Sequence, residues 1–229
     1  MSEDHKKTFK LEDIILGGQD GLVNVLGVIL GVAAASGDAR LVTVAGLAAT
    51  FAESISMAAV AYTSKASKAD HYESELNREN REIDEIPDAE VEEIREIYRR
   101  RGFSGQLLED VVKVIVSDRK VWLETMMREE LNLEAVDRTK IISASLLVGL
   151  SAIFGSLIPL LPFLFFPVST SIFLSLVISA LALAVLGAYK AKETVGKPLK
   201  SGLQMASIVI VSALAGYLVG LIFKVPVVP

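Results

Sequence analysis

Five stretches of about twenty mostly apolar residues run through the sequence, at 14–35, 41–62, 141–161, 168–189 and 203–223. A hydrocarbon core about 30 Å thick is crossed by a helix of roughly that length. Backbone immersed in lipid has to satisfy its own hydrogen bonds, so each stretch reads as a helix despite its valines and isoleucines. The chain is therefore expected to be all-α, a polytopic membrane protein with five transmembrane helices. Residues 36–40 leave room only for a tight hairpin between the first two, and the proline-punctuated 159–167 reads as the connection between the third and fourth.

The rest of the chain is not apolar at all. Of 229 residues 52% are hydrophobic and 22% charged, a combination that requires the charge to be segregated. Twenty of the 28 acidic residues lie between Asp70 and Asp137. The formal net charge of −5 is thus a property of one acidic insert, and three parts follow: 1–63 with the first two spans, the insert 64–140, and 141–229 with the last three spans.

Lysine and arginine placement orients the whole. Lys6, Lys7, Lys10, Lys65, Lys68, Arg138, Lys140, Lys190, Lys192, Lys197 and Lys200 fall on one side of a five-span chain, against Arg40 and Lys224 on the other. By the positive-inside rule the amino terminus and the insert are expected in the cytoplasm and the carboxyl terminus outside. The polar first ten residues enter the first span without a small-residue cleavage site, so no removable signal peptide is expected.

The insert reads as three to four helices. The second span should continue to about Glu85 and stop at Pro87. A helix over 88–101 should end at Gly102, and Ser104 and Asp118 should cap helices over 105–116 and 119–131. Leu107, Leu108, Val111, Val112 and Ile115 form an apolar stripe on the first of these, and Trp122 is the expected anchor of the second.

Chemistry is carried by few residues. Three spans hold no charge, but the first holds Asp20 and the second Glu53, and an ionisable group at membrane depth marks an ion path by default. Asp20 lies about 9 Å and Met57 about 7 Å from the cytoplasmic ends of neighbouring helices, with Glu53 one turn beyond Met57 on the same face. Carboxylates with a thioether suit a borderline divalent cation such as Fe²⁺, Mn²⁺ or Co²⁺, whereas oxygen alone favours Mg²⁺ or Ca²⁺. The competing reading makes Asp20 an interfacial helix-end charge and Met57 a packing residue.

In the insert, Glu79 with Glu82, and Glu90 with Glu93, stand three apart, and Met126 stands four before Glu130. Such pairs share a helix face and suit several divalent ions, unless they simply pair with Arg78, Arg81, Arg95 and Arg99 on a solvated surface. Gly27 and Gly31, a GxxxG pair, suggest a close helix–helix approach that fits an interface between subunits. Absent cysteine excludes disulfides, thiolate zinc and iron–sulfur sites. No Walker motif is present, no catalytic triad can be assembled, and His5 and His71 are too scattered for a metal triad. The dispersed basic residues make no nucleic-acid footprint.

Several motifs together resemble the vacuolar iron transporter family over almost the whole chain. They are Asp20-Gly21-Leu22-Val23, Ser56-Met57-Ala58-Ala59, the glutamate-rich insert, Glu96-Ile97-Tyr98 before Gly102-Phe103, the run Met126-Met127-Arg128-Glu129-Glu130-Leu131, and Lys200-Ser201-Gly202. The resemblance implies a homodimer of five-span subunits with the metal path between them. It implies a proton-coupled antiporter that moves Fe²⁺, and often Mn²⁺ or other first-row divalents, out of the cytosol. It also implies a path through Asp20 and Met57, and metal binding by Glu79, Glu82, Glu90, Glu93, Met126 and Glu130. Metal is then cargo, whether Fe²⁺, Mn²⁺, Co²⁺ or Zn²⁺, and no prosthetic group or enzymatic activity is expected.

The chain departs from the family at Val60 and Ala61, where a Gly-Glu pair is usual, and carries Glu53 instead. The membrane would be the plasma membrane of a prokaryote or the vacuolar membrane of a eukaryote. Two alternatives from other classes are a membrane-anchored iron-binding or ferroxidase module and a passive divalent channel. A di-iron enzyme would draw a Glu-x-x-His pair from each of two helices, and His71 is preceded at that spacing by Lys68.

Overall fold

The structure is a computed structural model; it describes residues 3–194 and 196–224, with side chains from residue 11 onward. It is all-helical, with no strand among the described residues. Among the described residues eight α-helices follow in order: α1 Glu3–Ser36, α2 Ala39–Glu85, α3 Pro87–Arg100, α4 Gly105–Val116, α5 Arg119–Thr125, α6 Ile141–Phe165, α7 Val168–Glu193 and α8 Pro198–Ile222. A π-helical turn, Met126–Glu130, follows α5, and a 3₁₀ turn, Arg138–Lys140, precedes α6. Five helical segments among the described residues are long and apolar enough to cross a membrane, namely Leu11–Ser36, Ala39–Glu85, Arg138–Phe165, Val168–Glu193 and Pro198–Ile222. The chain divides into two compact units, Met1–Tyr62 with Ile142–Pro229, and Thr63–Ile141.

In the first unit α1 is the central helix. Leu22, Val25, Leu26, Ile29, Leu30 and Ala33 supply one side of a core that Val42 of α2, Leu160 and Phe163 of α6, Leu183 of α7 and Met205, Val209 and Ala213 of α8 complete. A helix surrounded by helices needs small residues where backbones approach, and α1 carries two such pairs. A Cβ on Gly17 would lie 2.0 Å from the Val148 carbonyl oxygen and one on Gly21 2.3 Å from that of Ala152, so this pair meets α6. Gly27 and Gly31 meet α8: a Cβ on Gly216 would stand 2.1 Å from the Gly27 carbonyl oxygen, and one on Gly220 2.1 Å from that of Gly31. The close helix–helix approach expected of the GxxxG pair is thus made within the chain, to α8.

The α1–α2 hairpin is as tight as expected. Gly37 takes φ +63 and donates its N–H to Ala33, and the Asp38 carboxylate caps α2 by accepting from the N–H groups of Arg40 (2.7 Å) and Leu41 (3.3 Å). The next connection corrects the sequence expectation. Residues 159–167 are not a loop: α6 runs through Pro159 and Pro162 to Phe165. Opposite it on α7, Ser171, Ser175 and Ser179 form a fully buried stripe. The Ser175 hydroxyl donates to the Pro159 carbonyl (2.5 Å), and the Ser171 hydroxyl lies 3.0 Å from those of Pro162 and Phe166. Lipid-depth backbone that left the helix here would strand more polar groups than the two carbonyls, those of Gly155 and Ile158, that the rings leave without a donor, so the helix continues through both prolines.

The second unit packs Ile83, Ile94, Leu108, Val112, Ile115, Trp122 and Met126 into a small core. Its punctuation follows the sequence closely. Pro87 opens α3, Gly102 takes φ +95 after it, and Asp118 caps α5 by accepting from the N–H groups of Lys120 and Val121. Two details differ. Ser104 holds the N-cap position of α4 without a side-chain cap bond, the adjacent Gly105 taking φ +57. The last helix widens at Met126, whose carbonyl accepts from the N–H of Leu131, five residues on (3.2 Å). Arg119 fastens α5 to the end of α2, donating to the Asn80 side chain and carbonyl and forking onto both Asp84 carboxylate oxygens at 2.6 and 2.8 Å.

Candidate functional site

Within the first unit, α1 and α2 bring together the acids that the sequence singles out. The Glu53 carboxyl lies within hydrogen-bonding reach of the Asp20 carboxyl and of the Asn24 side chain. Asp20 and Glu53 are both half-buried, and so is Met57, one turn along α2 from Glu53. Around Asp20 the backbone of α1 is pressed against α6: Gly17, Gly18 and Gly21 flank the aspartate, and a Cβ on Gly155 of α6 would come 2.1 Å from the Gly18 carbonyl oxygen. Asp20 also borders a cavity of about 300 Å³ lined with Glu12, Ile15, Leu16, Gln19 and Lys190. Asn24, one turn beyond Asp20, was not foreseen, although its i, i+4 spacing was readable.

Within the second unit, a larger set of carboxylates converges. Oxygens of Glu79 and Glu82 from α2 and Glu90 from α3 lie within 4.8 Å of one another. Glu79 is 1% and Glu90 2% exposed, and one Glu90 oxygen, Oε2, is buried with no hydrogen-bond partner. Buried glutamates are rare unless paired, because withdrawing a carboxylate from water is costly. Glu93 and Glu130 join the group from the exposed side, their side chains within hydrogen-bonding reach of each other.

Electrostatics follow from this crowding. Burial, and then the charges of Glu93, Glu79 and Glu82, push the Glu90 carboxyl up to about 7, against a smaller opposing pull from Arg78. Partial desolvation, and then the charges of Glu93 and Glu79, push Glu130 up to about 7 as well. A cation placed among these groups would relieve both costs at once.

Met126 behaves differently from the carboxylates. It is fully buried and packs with Ile83, Ile94 and Trp122 in the apolar core. The basic residues separate into two kinds. Arg95 and Arg99 pair with Glu92, Glu96 and Glu109 on the surface, as the solvated-face reading anticipates. Arg78 instead enters the cluster, with nitrogens 2.9 Å from Glu75, 2.8 Å from Glu79 and 3.5 Å from Glu82. His71 lies 3.8 Å from Glu75 and is well exposed.

Comparisons with known proteins agree along the chain. The family model described as VIT family matches residues 11–221. The chain is similar to "Vacuolar iron transporter 1" of Eucalyptus grandis, 34% identical over 90% of this chain and 84% of that protein. Its namesake in Oryza sativa subsp. japonica is 36% identical over 90% of this chain and 82% of its own length. The "Vacuolar iron transporter" of Plasmodium berghei is 30% identical over 98% and 84%.

Proposed function

The chain belongs to the VIT family, and on that premise we propose that it carries Fe²⁺ out of the cytosol in exchange for protons, with Mn²⁺ and Co²⁺ as further cargo. The observation that carries the proposal is the convergence of Glu79, Glu82 and Glu90, two of them almost wholly buried and one with an unpartnered oxygen. Like charges gathered away from water are stable only with a cation or protons among them.

In this reading the acidic unit is cytosolic and gathers metal. Glu79, Glu82, Glu90, Glu93 and Glu130 are its oxygen ligands, and Met126 supplies a thioether once its side chain turns out of the core. Cargo then passes to Asp20, Glu53 and Met57 in the membrane. One chain offers few ligands at that depth, so a second copy completes the shell as a homodimer with twofold symmetry. Two carboxyls as close as Asp20 and Glu53 hold either a cation or a proton between them, so metal and proton compete for one place. That competition is what couples their flows. The names of the relatives favour a vacuolar membrane.

Metal flux into proteoliposomes, with and without an imposed proton gradient and across Fe²⁺, Mn²⁺, Co²⁺ and Zn²⁺, tests the proposal. Flux that rises with the gradient is expected. Flux indifferent to the gradient would leave a channel, and no flux at all would leave a membrane-anchored metal-binding module.

A further inference from the structure

Among the described residues Arg78 is the cation that reaches the convergent carboxylates, and its half-exposed side chain approaches three glutamates at once. One terminal nitrogen lies 2.8 Å from Glu79 Oε1, the other 2.9 Å from Glu75, and Nε stands 3.5 Å from Glu82. Two of these three partners, Glu79 and Glu82, are the α2 members of the convergent set. Nε is itself buried and makes no hydrogen bond, so the guanidinium is held by charge on that side and not by a fitted bond. Glu90, facing the same set with a buried and unpartnered oxygen, receives nothing from it that would satisfy that atom.

We propose that Arg78 is a tethered counter-cation that occupies Glu79 and Glu82 when metal is absent and has to be displaced by an incoming divalent ion. The inference rests on the cluster being the cytosolic metal site. A guanidinium shields carboxylates that would otherwise repel one another, which keeps the metal-free site assembled. It also opposes a second positive charge at the same oxygens, which weakens binding and speeds release.

Glu75 makes the exchange reversible. It lies outside the convergent set, one turn before Glu79, and already holds one end of the guanidinium. An arriving ion therefore needs to free only the Glu79 and Glu82 side, and Arg78 swings onto Glu75 without entering bulk water unpaired. When metal leaves, the same arm returns. A carrier must release what it binds, and a built-in competitor of fixed charge sets that affinity more sharply than ligand number alone.

The sign of one substitution separates this role from an ordinary structural one. Metal binding to the purified full-length protein is measured by titration calorimetry with Mn²⁺ for wild type, Arg78→Lys and Arg78→Gln. A merely structural arginine would lose affinity on removal. A competitor gains it: Arg78→Gln is expected to bind on the order of tenfold more tightly. Arg78→Lys, which cannot span Glu75 and Glu79 together, should fall between. Affinity unchanged or weakened in Arg78→Gln overturns the proposal, and if that variant does not fold, Arg78→Lys equal to or weaker than wild type does the same. Glu90→Gln is the separate check on the premise. Unchanged binding there means that the cluster is not the metal site, whereas lost binding there with no gain in Arg78→Gln rejects the counter-cation alone.

Discussion

Gly216 of α8 faces Gly27 of α1 so closely that a Cβ on Gly216 would come within 2.1 Å of the Gly27 carbonyl oxygen. Backbone cannot retreat as a flexible side chain does, so α1 and α8 are fixed against each other at this point. Gly216→Ala is expected to lower the stability of the solubilised protein by about 1–3 kcal/mol. Gly18→Ala, whose Cβ would meet only ordinary contact at 3.7 Å, should be neutral or gain up to about 1 kcal/mol from helix propensity. Thermal unfolding in detergent compares the two, and equal effects would mean that the approach is looser than described.

Removing either membrane carboxyl should stop transport. Even an outer-shell partner of a metal is worth roughly 10–100-fold in affinity or activity, so Asp20→Ala and Glu53→Ala should each cost no less in vesicle flux while the helices stay folded. Full activity of both variants would reject the path.

The acidic cluster should set stability and function against each other. Glu90 is raised to about 7 by burial and by its acidic neighbours. Its neutral form is the one that folding favours, so its contribution is fully present below about 4.5 and is lost as pH rises through about 7. Glu130, raised to the same value, acts in the same direction. The metal-free protein should therefore lose thermal stability between about pH 5 and 8, while Mn²⁺ affinity climbs over the same interval as protons leave. Asp84, held below its ordinary value by Arg119, acts oppositely and only at lower pH. A metal-free melting temperature that is flat from pH 5 to 8 would show that the cluster carries no such cost.

From the same argument, Glu90→Gln should weaken metal binding and yet leave the metal-free protein at least as stable as wild type at pH 8. Loss of both would mean that Glu90 is needed for folding and would separate it from the binding role.

Much of this was legible in the sequence because the signals were long or chemically unambiguous. Five apolar runs, Pro87, Gly102 and the Asp118 cap each act through backbone geometry that neighbours do not override. The α6 prolines misled because a proline in an apolar run reads as a helix stop, whereas backbone at lipid depth gains too much from its remaining hydrogen bonds to leave the helix. Gly27 and Gly31 announced a close approach without its partner: GxxxG reports close packing but not which helix answers it, and the answering pair, Gly216 and Gly220, lies almost two hundred residues away. In the acidic unit the spacing of Glu79, Glu82, Glu90 and Glu93 foretold shared faces, yet only the fold separates Arg78, drawn into the cluster, from Arg95 and Arg99 on the surface. Met126 reads equally well as ligand or as core from spacing alone, and the structure packs it in the core.

The wide turn at Met126–Glu130 carries one more residue than an α-helix of the same span would hold. Deleting the exposed Arg128 would let the segment close into regular hydrogen bonding, and the shortened variant is expected to melt higher and bind Mn²⁺ less well. Such a surplus residue is a phase error kept in the chain. It changes the rotational phase at which Glu130 leaves the helix, compared with an unbroken α-helix over the same residues.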